Sequence, residues 1–304
     1  MKVYTITVNP SLDYVMSLDS LNLGEVNRAT EATLFAGGKG INVSQILTQL
    51  DVENCALGFL GGSTGQELLQ QLNQKKIKSD FTTILEKTRI NVKVKADQET
   101  EINASGPKIS MQEQHTFKTK LTQLTPDDIV VMSGSLAKGL PDDFYFQLID
   151  LIKEQGSQFV LDTSGQSLLD CLAKKPLMVK PNHHELADIF DTTFTNQEAI
   201  IEHGRKLQQL GAQNVIVSMA GDGAYLITED EVYYAKPLEG KVVNSVGAGD
   251  SMVAGFVGTY SQTQDAIEAF KMGVACGSAT AFTEDIATEP QINQQLKHVE
   301  IIEI

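Results

Sequence analysis

The sequence predicts an α/β fold: a mostly parallel sheet with helices on both faces, and a second, small sheet standing off it. Two observations predict this. Short β-branched or apolar runs recur along the 304 residues, and most are followed by a helical pattern. Two stretches, about 13–35 and 89–106, break that alternation with extended runs. The length suits one large α/β domain with an added small element, or two domains.

The elements follow in order. Residues 3–8 alternate and read as a strand, and the runs at 56–60, 129–132, 159–161, 177–179 and 215–217 read as buried strands. Residues 41–50 read as a helix, because Val43, Ile46, Leu47 and Leu50 recur at i, i+3, i+4 and i+7. Residues 65–72 form a second helix pattern, opened by a Ser63-x-x-Gln66 capping-box sequence. The first exceptional stretch contains no good helix. In the second, Ile90, Val92 and Val94 face one way and Asn91, Lys93 and Lys95 the other; a polar turn at 96–98 leads into another run at 99–103. Together they read as a small antiparallel sheet with one apolar face, to be covered by closing over a ligand or by a second subunit. No internal repeat or low-complexity segment interrupts the chain.

Composition narrows the function. The formal charge of −15 argues against general nucleic-acid or membrane-surface binding, so an anionic substrate needs a local cationic pocket. No run approaches the ~20 apolar residues of a membrane span, and the N-terminus lacks the apolar core of a signal peptide. Cys55, Cys171 and Cys276 are odd in number and widely spaced, which reads as free thiols in a reducing cytoplasm.

The strongest chemical signal is Asn244-Ser245-Val246-Gly247-Ala248-Gly249-Asp250-Ser251, between an extended run at 241–243 and a small-residue helix containing Ala254, Gly255 and Gly258. Glycine amides at a helix start bind phosphate. A carboxylate beside an anion site is an odd choice for binding alone, so Asp250 reads either as a base for an attacking hydroxyl or as a plain helix-start residue. Neither a Rossmann fingerprint (Met252 replaces the last glycine) nor a Walker A motif (Gly40 follows Lys39) is present. A second site is Gly37-Gly38-Lys39-Gly40-Ile41-Asn42, where glycines at a helix start, a mobile cation and an amide suit a phosphosugar; the alternative is a glycine turn with a solvated lysine.

Asp13 follows the first strand, where ligands of open α/β sheets sit, though a lone Asp there also suits an Asx-turn. In Lys180-Pro181-Asn182-His183-His184-Glu185, Asn182 and Glu185 share a helix face and suit Mg²⁺ held through water. His183 and His184 read as ordinary polar residues. Ser218-Met219-Ala220-Gly221-Asp222-Gly223 reads equally as a hairpin turn or a nucleotide-contacting loop. Arg28, Arg89 and Lys138 are the remaining cations beside structured elements.

These motifs, in this order, resemble the ribokinase-like (PfkB) carbohydrate kinases along essentially the whole chain. Longer stretches, among them residues 9–16, 88–93, 99–103, 180–186 and 218–224, are similar to the branch acting on fructose 1-phosphate; tagatose-6-phosphate kinases come next by pattern. The resemblance implies a three-layer α/β/α kinase domain over 1–304 with a β lid from about 11–35 and 88–106. It implies ATP-dependent phosphorylation of the C6 hydroxyl of fructose 1-phosphate, with Asp250 as base and an anion hole at Gly247, Ala248 and Gly249. It further implies substrate contacts from Asp13, Gly37, Gly38, Lys39, Asn42, Arg89, Asn103, Arg28 and Lys138. Lys180, Asn182, Ser218, Gly221, Gly223 and Ser251 are implied at the nucleotide, Asn182 and Glu185 at Mg²⁺, and a lid-mediated homodimer as the assembly. A tagatose-6-phosphate or 6-phosphofructokinase is the alternative; a non-catalytic sugar-phosphate sensor is the alternative of another class. Two positions depart from the pattern: Ala220 replaces the middle glycine of a Ser-x-Gly-x-x-Gly loop, and Ala137 stands where proline is common.

Overall fold

The computed structural model describes residues 1–163 and 165–304. Its ten-stranded sheet runs, edge to edge, Ile301–Glu303, Val232–Ala235, Ala224–Ile227, Asn214–Ser218, Met178–Val179, Gln158–Asp162, Ile129–Ser133, Val3–Thr7, Asn54–Gly61 and Thr82–Ile84. From Asn214–Ser218 onward all neighbours are parallel; the first three strands add antiparallel at one edge. All the strands expected from buried apolar runs are present. Each run is continuous because both faces are covered. Val130, Met132, Phe159, Leu161, Val215 and Val217 pack into one core with Phe117, Phe144, Leu148 and Leu207. Their neighbours Val131, Val160 and Ile216 point the opposite way, onto Val43, Ile46, Leu47, Phe256 and Phe270.

The helix Lys39–Gln49 buries Val43, Ile46 and Leu47, as its spacing requires. The helix Ala248–Thr263 is buried almost all round, which explains its small residues. A Cβ on Gly255 would stand 2.8 Å from Cys276 Sγ of Ala266–Ala281, and one on Gly258 3.1 Å from Leu47. Two local expectations change. The helix Gly62–Gln74 follows its strand without a loop, with extended Gly61 as N-cap, so Ser63 lies inside the first turn and forms no cap hydrogen bond. Residues 241–243 form no strand, because the N–H groups of Val243 and Asn244 both donate to the Ala281 carbonyl at a helix end.

The second sheet has the order Glu31–Gly37, Ser11–Ser17, Arg89–Lys95, Glu99–Ile102. It is mixed, not antiparallel: Ser11–Ser17 and Arg89–Lys95 run parallel. Both strands leave the carboxyl edge of the large sheet, after Val3–Thr7 and Thr82–Ile84, and so travel in one direction. The register sorts the residues by face. Leu34, Tyr14, Val92 and Ile102 form a row across all four strands, with Asp13, Asn91 and Lys93 on the other face.

Candidate active site

Val3–Thr7 is where the strand order reverses: Asn54–Gly61 lies on one side and Ile129–Ser133 on the other. Crevices open at the carboxyl ends of strands around such a point. A cavity of about 680 Å³ lies there, lined by Thr7, Ser133, Asp162, Lys180 and Ser218 from five strand ends. Asp13, Asn91, Lys93 and Asn103 of the second sheet line it too, with Gly247, Gly249 and Asp250 of the glycine turn.

Asp250 sits in the first turn of Ala248–Thr263, 7% exposed. Asn42 Nδ2 donates to its Oδ2 at 2.8 Å. Burial, and then the nearby negative charge of Asp162, push its carboxyl up to about 7, against the pull of the Asn42 hydrogen bond, Lys39 and Lys180. A carboxylate that exchanges its proton near neutral pH is suited to general-base work. Gly247 adopts φ 80° as the helix N-cap, a left-handed backbone that glycine permits. Among the described residues, the N–H groups of Gly247, Gly249 and Asp250 have no hydrogen-bond partner, whereas that of Ala248 donates to the Ser245 carbonyl at 3.3 Å. The amides free to meet an anion are therefore those of Gly247, Gly249 and Asp250, whereas Ala248 of the 247–249 set that the sequence suggests is already engaged.

Asp162 lies between two cations. Its Oδ2 is 3.3 Å from Lys39 Nζ and its Oδ1 3.7 Å from Lys180 Nζ. Burial raises its carboxyl, but Lys180 and Lys39 outweigh that and hold it below the ordinary value. Asp162 and then Asp250 keep Lys39 firmly protonated despite desolvation. Lys180 reaches the nest: a Cβ on Gly249 would stand 3.1 Å from its Nζ.

At the other end, Asp13 Oδ1 accepts from Ser11 Oγ at 2.7 Å and Asn91 Nδ2 at 3.0 Å, and Lys93 Nζ lies 3.5 Å from its Oδ2. Gly37 is needed here because a Cβ would stand 2.6 Å from the Asp13 carboxylate; it supports Asp13 without lining the main cavity. Gly38, Lys39, Asn42 and Asn103 do line it. Arg89 lines it as well, but its Nη1 donates to the Ala104 carbonyl and its Nη2 to that of Asn9. Its Nε is buried and unpartnered. Thr7 Oγ1, Asn9 Oδ1 and Ser133 Oγ are buried and unpartnered too, on the same cavity. Unpaired buried polar atoms gathered at one cavity mark a polar ligand's place.

Several expected contacts lie elsewhere. Arg28 is exposed on the loop between Ser11–Ser17 and Glu31–Gly37, and Lys138 is exposed beyond the turn at 133–135; neither lines the cavity. Ser251 points into the helix pair and meets Thr280 Oγ1 at 2.8 Å. Gly221 and Gly223 are absent from the lining; Gly223, at φ 86°, packs against the Ala235 carbonyl. The loop they belong to is a hairpin turn joining Asn214–Ser218 to Ala224–Ile227. Ala220 adopts φ 50° in it, the conformation that the family's glycine would supply without strain.

Asn182 and Glu185 form a reciprocal cap: Asn182 Oδ1 accepts the Glu185 N–H at 2.9 Å, and Glu185 Oε2 accepts the Asn182 N–H at 2.8 Å. The Asn182 carbonyl is thus engaged by the helix, while Glu185 keeps Oε1 without a protein hydrogen bond on the cavity wall. That oxygen fits a hydrated Mg²⁺, whose few protein ligands are typically carboxylates. No cluster of three or more His, Cys, Asp or Glu ligands exists among the described residues.

This arrangement combines a buried carboxyl, unpaired amides and cations at a switch-point crevice. The sequence model of the pfkB family of carbohydrate kinases matches residues 7–291. The chain belongs to the pfkB family of carbohydrate kinases. It is 45% identical to a 1-phosphofructokinase of Bacillus subtilis over 98% of this chain and 99% of that one. It is 37% identical to a tagatose-6-phosphate kinase of Staphylococcus epidermidis, over 99% of this chain and all of that one. Phosphofructokinase-2 of Escherichia coli, solved with substrates and products, superposes with a TM-score of 0.94 at 26% identity, covering 98% of this chain and 99% of that one. The fold of this pfkB kinase is thus that of the family, second sheet included.

Sequence reasoning missed Asp162, Lys93, Asn91, Thr7, Asn9 and the Ser133-Gly134-Ser135 turn as site residues. A signal existed for Asp162 and Ser133, since each ends an apolar run where strand ends face ligands. Lys93 had none; nothing local says which face of its strand meets the cavity.

Proposed function

We propose that this kinase transfers the γ-phosphoryl group of ATP to the C6 hydroxyl of fructose 1-phosphate, giving fructose 1,6-bisphosphate. The observation that carries this is Asp250, buried beside a nest of unpaired amides and able to take up a proton near neutral pH. The identity to the Bacillus subtilis 1-phosphofructokinase supports the choice of sugar. The C6 hydroxyl gives its proton to Asp250 as its oxygen attacks the γ-phosphorus in line and the bond to the β-phosphate oxygen breaks. Such transfer is chiefly positioning and charge neutralisation. The amides of Gly247, Gly249 and Asp250 and the Lys180 ammonium meet the developing negative charge. Mg²⁺, held through water at Glu185, supplies further neutralisation of the phosphate oxygens when bound.

Asp13, fixed by Ser11, Asn91 and Lys93, accepts ring hydroxyls. Asn42 is a positioning group for Asp250, since its amide already donates there. The 1-phosphate lies at Lys39, Arg89 Nε and the Ser133-Gly134-Ser135 turn, where unpartnered polar atoms gather. The second sheet acts as a lid, excluding water as it closes. Its outer row, with Tyr14, Leu34 and Ile102 exposed, is the proposed homodimer face. The proposed location is the cytoplasm; the three cysteines, all free and buried, fit a reducing compartment. An ADP-release assay with fructose 1-phosphate, fructose 6-phosphate, tagatose 6-phosphate and fructose tests the proposal. The highest kcat/KM is expected for fructose 1-phosphate, and a preference for another acceptor overturns the choice of sugar.

A further inference from the structure

Asp162 takes no proton and meets no substrate in the transfer just described, yet it ends its strand at the cavity with 6% exposure. Its two oxygens face lysines from different elements. Lys39 belongs to the helix Lys39–Gln49 on the sugar side, beside Gly38 and Asn42. Lys180 follows Met178–Val179 and lies over the glycine nest. We propose that Asp162 is a positioning residue that ties the sugar-phosphate lysine, Lys39, to the nucleotide-phosphate lysine, Lys180, and holds the two phosphate subsites in register. The proposal rests on the reading of those lysines and of Asp250 given above.

Three physical points support it. Two ammonium groups converging on one cavity repel each other, and a carboxylate between them turns repulsion into a shared pairing. The Lys180 side chain is only 8% exposed, so without Asp162 its charge would stand buried and unpaired. The separations of 3.3 and 3.7 Å are looser than the roughly 2.8 Å of a tight charged hydrogen bond, so each lysine keeps donors free for a phosphate. The pairing orients both cations without saturating either.

The placement also reaches the base. The charged groups acting on Asp250 are Asp162, Lys39 and Lys180, with the neutral Asn42 amide donating to it; Asp13, Lys93, Arg89, Glu101 and Glu185 line the same cavity. The Asp162 charge opposes ionisation of Asp250, and the lysines favour it. Removing that charge therefore lets Asp250 ionise at lower pH.

Asp162→Asn keeps the shape and removes the charge. In the folded variant, KM for fructose 1-phosphate and KM for ATP are each expected to rise about tenfold, the effect of losing one charge-assisted partner. The acid limb of kcat/KM is expected to move about one unit to lower pH, as loss of a nearby like charge demands. A merely structural role would lower Tm and leave both KM values and the acid limb in place; that result, or a rise in one KM alone, overturns the proposal. Should Asp162→Asn not fold, Asp162→Glu carries the test: both KM values rise together while the acid limb stays near its wild-type position, and any other pattern counts against the link. Asp250→Asn, run alongside, separates the two readings. Near wild-type turnover there ends the base assignment, while the KM results still decide the role of Asp162.

Discussion

The cleft floor and the second sheet face each other across one cavity and are built differently. On the floor, Asp250, Asp162 and Lys180 sit at the ends of elements buried on both sides, and each is less than a tenth exposed. The second sheet holds Asp13 with Ser11, Asn91 and Lys93, but its outer row leaves Tyr14, Leu34 and Ile102 exposed. The floor can shift proton affinities because solvent is excluded and each charge feels its neighbours at low dielectric. The second sheet contributes shape and polar contacts, and its outer row is the proposed association surface. Catalytic power should therefore concentrate on the floor, and ring-hydroxyl contacts and assembly on the sheet.

The largest test of that division is Asp250→Asn. It is expected to keep the fold, by circular dichroism and Tm, and to lower kcat by about two or more orders of magnitude, as loss of a general base does. Near wild-type turnover would erase the floor's claim to the chemistry. Lys39→Ala comes next: a rise of about tenfold or more in KM for fructose 1-phosphate, larger than any change with unphosphorylated fructose, as expected for a lost charged contact. Equal effects on both acceptors would move the 1-phosphate site elsewhere.

The pH profile sharpens the comparison. On the floor, the Asp250 carboxyl is pushed up to about 7, so the ionised form that the proposed base role needs is lost as pH falls through that value. Log kcat/KM against pH should therefore bend near neutrality and fall with unit slope on the acid side. A profile flat down to about pH 5 would mean an Asp250 with an ordinary carboxylate affinity. On the sheet, Ile102→Asp places a charge in the exposed apolar row. Sedimentation should then show loss of the proposed dimer with Tm nearly unchanged; wild-type association would point to another interface.

The smallest expected effect tests the floor's outer support. Gln45 Nε2 lies 3.4 Å from Asn42 Oδ1, and Lys75 Nζ 2.6 Å from Gln45 Oε1. This chain turns the Asn42 amide so that its Nδ2 meets Asp250. Gln45→Leu should lower kcat only about two- to threefold, the scale of one weak neutral hydrogen bond, with KM unchanged.

How much was legible beforehand differs between the same two regions. Buried parallel strands announce themselves by continuous apolar runs, and the glycine turn before Asp250 by the backbone freedom that an anion nest requires. The second-sheet stretch at 89–106 was visible through its period of two, but the parallel central pairing was not, because direction is set by where both strands leave the main sheet. Arg89 shows the limit at the site. Its charge suggested a phosphate contact, but nothing local shows that its Nη groups also donate to the backbone carbonyls of Asn9 and Ala104. Ser251 shows it again, one residue beyond the base and turned toward Thr280.

By itself, the amino-acid order determined the α/β architecture, the family and the carboxylate beside its glycines, since each shows in patterns along the chain. Only the tertiary structure decided that Asp162 stands between Lys39 and Lys180, that Asn42 serves Asp250, and that Arg28 and Lys138 stay outside the cavity. Those outcomes depend on side chains far apart in the chain meeting at short range, where burial and charge act through space and leave no local trace in sequence.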